Sequence, residues 1–119
     1  MTPDDDGPAS PLTPVTFHVL LSLMHEPAHG YGIKRMIEER TDGAINVGAG
    51  TLYAGIRRMT GDGLIEETEP PSDPEGGVEP RSNWRFYRIT SRGRQVLENE
   101  IARLEADLES AHAVMRRLA

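Results

Sequence analysis

The chain has 119 residues, of which 37% are hydrophobic, and this is enough for one modest core but not for two. It contains no cysteine, which excludes disulfides, thiolate metal sites and thiol nucleophiles. No apolar run is long enough to predict a membrane span, and the first residues lack the basic and apolar regions of a signal peptide. We therefore expect a cytoplasmic protein with no membrane partner.

The net charge of −6 is unevenly distributed along the chain. Residues 1–29 hold four acidic residues and no Lys or Arg, and residues 64–90 hold six acidic residues against three arginines. Residues 30–63 instead hold five basic residues against four acidic ones. The excess negative charge is therefore confined to a leader and one loop, and it does not exclude a polyanionic partner for the middle of the chain.

The first part of the chain predicts a leader and two helices. Residues 1–11 are rich in Pro, Asp and Gly, which is typical of a disordered segment. Thr13-Pro14 is an N-cap followed by proline at the first helical position, and apolar residues at helical spacing extend this helix to about His25. A second helix begins near Gly30 and stops at Thr41-Asp42-Gly43.

A third helix is predicted from about Ala49, and it has two different faces. Leu52, Ile56 and Met59 share one face at helical spacing and are predicted to be buried. The residues of the opposite, outer face are small near the start of the helix and cationic near its end: Gly50, Ala54, Arg57, Arg58 and Gly61. Thr51 and Tyr53 lie on the flanks of this outer face. Small residues permit close approach to another surface, and arginines suit phosphate groups.

A β-hairpin follows the third helix. Leu64–Thr68 and Trp84–Ile89 are rich in β-branched and aromatic residues and predict two strands. The loop between them, Glu69–Asn83, holds four prolines and two glycines. We expect these strands and their loop to form a wing beside the helices.

A long last helix, capped by Thr90 or Ser91, carries an apolar seam with alternating spacings of four and three. The seam predicts a dimerisation helix over residues 91–119, although part of it could instead pack on the first helix of the same chain. Its members are Leu97, Ile101, Leu104, Leu108, Ala111, Met115 and Leu118.

This order of elements predicts a mainly helical fold with a small β-hairpin: a winged helix-turn-helix domain over residues 12–90 and a long C-terminal helix. Four segments resemble the PadR family of transcriptional regulators in sequence, order and separation: His29–Ile33, Gly50–Tyr53, Gly63–Ile65 and Phe86–Gly93. The resemblance implies a homodimeric repressor whose third helix enters the major groove of double-stranded DNA. It also allows for release by a small-molecule inducer.

The resemblance and the helix faces together predict the DNA contacts. The candidates are Tyr31, Lys34, Gly50, Thr51, Tyr53, Ala54, Arg57, Arg58, Arg81, Asn83 and Arg85. Two of the tyrosines have an alternative, since Tyr53 could pack against the second helix with only its hydroxyl exposed and Tyr31 could belong to the core. The acidic wing loop departs from the family's pattern, where this loop is often basic.

No pattern of residues predicts catalysis, a cofactor or a metal site. His25 and His29 are four residues apart, but Pro27 prevents them from sharing a helical face, and we expect both to be solvent-exposed or turn residues. The alternative to a DNA-binding regulator is a winged-helix module that binds proteins and has lost DNA binding. The acidic residues of the wing loop favour this alternative.

Overall fold

The computed structural model describes residues 11–71 and 84–118. Almost all of the predicted leader and most of the wing loop lie outside these residues, as do the predicted contacts Arg81 and Asn83. The described elements, in chain order, are α1 (Pro14–Leu23), β1 (Ala28–His29), α2 (Gly30–Arg40), α3 (Ala49–Gly61), β2 (Ile65–Thr68), β3 (Phe86–Ile89) and α4 (Ser91–Leu118).

The predicted fold class, mainly helical with a small antiparallel sheet and a long last helix, is confirmed. Thr13 caps α1 as predicted, because its hydroxyl accepts a hydrogen bond from the Thr16 amide at 3.1 Å. Helix α1 ends at Leu23, two residues before the predicted end. The three residues predicted for the inner face of α3, Leu52, Ile56 and Met59, are all buried.

The sheet has three strands, whereas two were predicted. Strand β1 pairs with β3, with His29 opposite Phe86, and the strand order is β1-β3-β2. All neighbouring strands are antiparallel. A strand of two residues is too short to show an alternating pattern, so the sequence did not predict it. The sheet thereby joins the start of α2 to the wing, which is formed by β2, β3 and the loop between them.

Thr90 is the residue that caps α4, which decides between the two predicted candidates. Its hydroxyl accepts a hydrogen bond from the Gly93 amide at 3.0 Å and donates one to the Gly63 carbonyl at 2.6 Å. Gly93 permits a close approach here, since a Cβ at this position would lie 2.0 Å from the Leu64 carbonyl oxygen. The start of α4 is therefore packed directly against the start of the wing.

The apolar seam of α4 divides into a buried part and an exposed part. Leu97 is buried in the core of its own chain, and Ile101 packs against that core, next to the contact between α4 and α1. The prediction that Leu97 lies in a dimer interface is therefore wrong, because its side chain is 2% exposed within a single chain. The next seam residues with large side chains are exposed: Leu104 by 40%, Leu108 by 58%, Met115 by 65% and Leu118 by 77%.

Candidate nucleic-acid interface

The start of α3 is open to solvent. Gly48 precedes the helix without a side-chain cap, so the first amide groups of α3 have no hydrogen-bond acceptor from that residue. A Cβ at Gly48 or Gly50 would meet no atom within 4 Å, and Thr51 is exposed. Free amides at the positive end of a helix dipole favour a nearby phosphate.

Tyr53 combines the two arrangements that the sequence left open. Its ring crosses the first turn of α2, where a Cβ at Gly30 would lie 2.3 Å from the tyrosine hydroxyl oxygen. Nevertheless, 42% of Tyr53 is exposed. The absence of a side chain at Gly30 thus lets Tyr53 pack across α2 and still present a surface to a partner.

Arg57 and Arg58 follow on the same helix and are both exposed. Among residues 11–71 and 84–118, neither arginine has an acidic partner within ion-pair distance. Other basic residues of the domain are paired, for example Arg88 with Glu66 at 2.7 Å. Two guanidinium groups without a described acidic partner therefore lie a little more than two turns beyond the open start of α3.

The two α2 candidates differ in exposure and in charge. Tyr31 is 58% exposed, so it does not belong to the core. The Lys34 ammonium group donates to the Glu38 carboxylate one turn later and to the Asn46 side-chain oxygen at 3.2 Å. The charge of Lys34 is thus balanced within the domain, and Tyr31 presents the more accessible surface.

A cleft of about 590 Å³, which we name the wing cleft, lies between the start of α2, α3 and the wing. Its wing side carries the predicted contact Arg85, which is exposed and forms an ion pair with Glu67 at 3.2 Å. The wing cleft is lined by His29, Gly30, Tyr31, Tyr53, Ile56, Arg57, Trp84, Arg85 and Tyr87. Predicted contacts on α2, α3 and the wing therefore meet around one concave surface, which is mainly aromatic and cationic.

His29 has a structural role that the sequence analysis missed. It was predicted to be a solvent or turn residue, but its Nδ1 atom accepts a hydrogen bond from the Gly32 amide at 3.1 Å and so caps α2. Its ring lies 4.1 Å from the Trp84 ring, measured between centroids. Burial lowers the pKa of His29 below its ordinary value. Its position immediately before a predicted helix start was the available signal for the cap.

The residues that the structure describes contain neither a candidate metal site nor a candidate membrane span. No group of three or more His, Asp or Glu side chains there is arranged to hold a metal ion. No helix in those same parts is long and apolar enough to cross a membrane.

The fold resembles those of solved transcriptional regulators. A regulator from Clostridium thermocellum superposes with a TM-score of 0.67 at 22% identity, over 83% of this chain and 87% of that one. A PadR family regulator from Clostridium difficile gives 0.61 at 21% identity, over 87% and 96%. A PadR-like transcription factor from Bacteroides fragilis gives 0.57 at 24% identity, over 88% and 89%.

Sequence comparisons give both a related protein and a matching family. An uncharacterized protein of Lysinibacillus sphaericus is 29% identical over 79 residues, which are 66% of this chain and 67% of the relative. Residues 19–99 match the model of the transcriptional regulator PadR-like family, a family of regulators and not of enzymes. Because that match covers more than half of the chain, from α1 to the first turns of α4, this protein belongs to the PadR-like family of transcriptional regulators.

Proposed function

We propose that this regulator is a cytoplasmic repressor that binds an inverted-repeat operator in double-stranded DNA as a homodimer. The observation that carries the proposal is the outer face of α3, which combines uncapped amides at its start with two arginines that have no acidic partner among residues 11–71 and 84–118. Uncapped amides and free guanidinium groups both bind phosphate, and a small first turn allows a helix to enter a groove.

We assign the DNA contacts according to the elements that carry them. Thr51 and Tyr53 lie at the start of α3, where recognition helices reach base edges, and Gly50 and Ala54 allow close approach. Arg57 and Arg58 lie farther along and bind phosphates. Contacts to the DNA backbone are assigned to Tyr31 and Lys34 on α2 and to Arg85 just before β3. Arg81 and Asn83, which lie outside the described residues, are assigned from the sequence alone.

The partner for the exposed end of α4 is a second copy of the chain. A stripe of large apolar side chains on a helix that extends beyond its own core needs a cover in water, and the heptad spacing of these residues matches an identical helix. The interface is built from Ile101, Leu104, Leu108, Ala111, Met115 and Leu118. Ile101 forms its inner edge, since it already packs partly against the core.

Sedimentation of a double variant tests the dimer. Leu104→Glu with Leu108→Glu places two charges in the seam and should leave monomeric chain. The matched control is Gln95→Glu with Ala102→Glu, which adds the same charge at exposed positions on the opposite face of α4. A folded dimer in the seam variant would contradict the assignment, as would a monomer in the control.

Selection from a random pool of duplex DNA tests the operator. A symmetric dimer presents its two α3 helices to half-sites about one turn apart, roughly 10 base pairs centre to centre. The recovered sequences should therefore share an inverted repeat with that spacing. Recovery of single asymmetric half-sites would contradict the proposed mode of binding.

A small-molecule inducer that releases the operator completes the proposal. The wing cleft, at about 590 Å³, is within the size range of ligand sites, and its lining includes four residues that we assign to DNA: Tyr31, Tyr53, Arg57 and Arg85. A ligand in it would therefore compete with the operator.

The second candidate function is a protein-binding module without DNA binding. It is favoured by the acidic balance of the chain and by the pairing of Arg85 and Arg88 with carboxylates on the neighbouring strand. A shallow dependence of DNA affinity on salt would support this alternative, because counterion release makes true DNA binding steeply salt-dependent.

A further inference from the structure

His29 occupies the point where three elements meet. It is the last residue of β1, it pairs with Phe86 of β3, and it caps α2. Its backbone is extended, with φ −95° and ψ 168°, which suits both the end of a strand and an N-cap. One residue therefore connects the helix-turn-helix to the wing through its backbone and through its side chain.

The cap requires a neutral imidazole. The Gly32 amide donates to Nδ1, so this nitrogen must carry a lone pair and the ring proton must lie on Nε2. A protonated ring has no acceptor to offer. It would also place a positive charge at the positive end of the α2 dipole.

The same ring packs against the wing. It lies 4.1 Å from the Trp84 ring with an interplanar angle of 30°, and 5.1 Å from the Phe86 ring in an edge-to-face arrangement. On its other side, the Tyr31 ring is parallel to it at 6.3 Å. The rings of His29 and Trp84 thus form the contact between the start of α2 and the first described residue of the returning wing strand.

We propose that the neutral side chain of His29 is a positioning group that holds the wing against the helix-turn-helix, and that its protonation loosens this contact. The residue acts through Trp84 and the first turn of α2, without itself binding DNA. The consequence for operator affinity rests on the proposed function, whereas the contact itself does not.

The surroundings of His29 disfavour its charged form. The titratable groups that line the wing cleft with it are Arg57 and Tyr53 from α3, Arg85 and Tyr87 from β3 and its approach, and Tyr31 from α2. Arg57 and Arg85 are cations, and Glu67 of β2 balances the charge of Arg85 at 3.2 Å, while no carboxylate belongs to the described lining itself. Burial is what lowers the pKa of His29 below its ordinary value of 6.5. The neutral form therefore persists at neutral pH, and the contact is lost as the pH falls below 6.5.

Tryptophan fluorescence tests the contact without DNA. Trp84 is the single tryptophan of the chain and is half-buried, so loss of its contact with His29 would expose the indole to water, which lowers and red-shifts its emission. Emission of the parent should fall as the pH drops from about 7.5 to about 5, with its midpoint below the ordinary histidine value of about 6.5. In His29→Asn the amide oxygen can still cap α2, but nothing titrates beside Trp84, so the transition should disappear.

His18→Gln is the matched control. His18 is a second histidine whose pKa is lowered, by burial and by Arg40, but it lies on α1 and contacts Arg40 instead of Trp84. This variant should keep the emission transition. A parent without the transition, or a His29→Asn variant that retains it, would overturn the proposal.

Operator affinity at the same two pH values tests the consequence. The parent should lose about fivefold in acid, the low end of the range for coupling between two sites, and His29→Asn should lose little. A parent that binds more tightly in acid, with the gain absent from His29→Asn, would show that His29 contacts phosphate as a cation and would refute the positioning role. A parent that keeps the emission transition but binds DNA at neither pH would contradict the proposed function alone.

Discussion

Gly30→Ala should separate DNA binding from folding. A Cβ at Gly30 would lie 2.3 Å from the hydroxyl oxygen of Tyr53 and 2.5 Å from its Cζ atom, so the two groups cannot keep their positions. The obstructing atoms are the far end of a side chain that is already 42% exposed. We therefore expect Tyr53 to swing away from α2 while the backbone stays in place.

Two small effects on stability oppose each other in this variant. Alanine at a helical position in place of glycine contributes up to about 1 kcal/mol. The displaced ring gives up only part of the burial of a half-exposed tyrosine, which costs a similar amount. The free energy of unfolding should therefore change by less than about 1 kcal/mol, whereas operator affinity should fall by about tenfold, the equivalent of 1.4 kcal/mol.

Urea denaturation and fluorescence anisotropy with a labelled operator measure the two quantities. Gly55→Ala is the matched control, since it makes the same change at a buried position of α3 where the atom nearest to the Cβ, the Met59 Cε, would lie at 3.6 Å, an ordinary contact. The control should bind like the parent. Parental affinity in Gly30→Ala would show that the position of Tyr53 does not matter, and a loss of stability above about 3 kcal/mol would show that its ring cannot move as we describe.

Two further substitutions test the packing of α4. Gly93→Ala would place a Cβ 2.0 Å from the backbone oxygen of Leu64, which cannot move aside, so unfolding in urea should show a loss of about 3 kcal/mol; an unchanged midpoint would contradict this. Hydrogen bonds from Arg103 hold the pKa of the buried Glu100 below its ordinary value of 4.5. That contribution is present above pH 4.5 and lost on acidification, so thermal unfolding should find Glu100→Gln less stable than the parent at neutral pH, with a difference that shrinks in acid. A difference independent of pH would count against the pairing.

Helix positions were predictable where periodicity determines burial. The inner face of α3 follows from the spacing of Leu52, Ile56 and Met59, because residues three and four apart share one side of a helix. The caps of α1 and α4 were also predictable from the sequence, with Ser91 as an alternative to Thr90, because Thr13 and Thr90 are favoured residue types directly before a helical pattern.

The remaining features depend on contacts between distant parts of the chain. A heptad seam does not show at which residue a helix stops packing against the core of its own chain. The change from the buried Leu97 to the exposed Leu104 is therefore known only once α1 has been placed against α4. The contact between the rings of His29 and Trp84 likewise joins residues that lie more than 50 positions apart in the chain. Neither relation is encoded in a local pattern.

The salt dependence of operator binding tests the central claim, that the outer face of α3 binds DNA phosphates. Affinity should be measured across salt concentrations for the parent, for Arg58→Ala and for the control Arg116→Ala. The control removes an exposed arginine at the far end of α4 that has no acidic partner in the described parts of the chain. Because Arg58→Ala loses one phosphate contact, it should bind the operator more weakly than the parent. The slope of its log affinity against log salt concentration should be smaller than the parental slope by about one unit. The control should keep the parental slope. Identical affinities and slopes for Arg58→Ala and the parent would contradict the account.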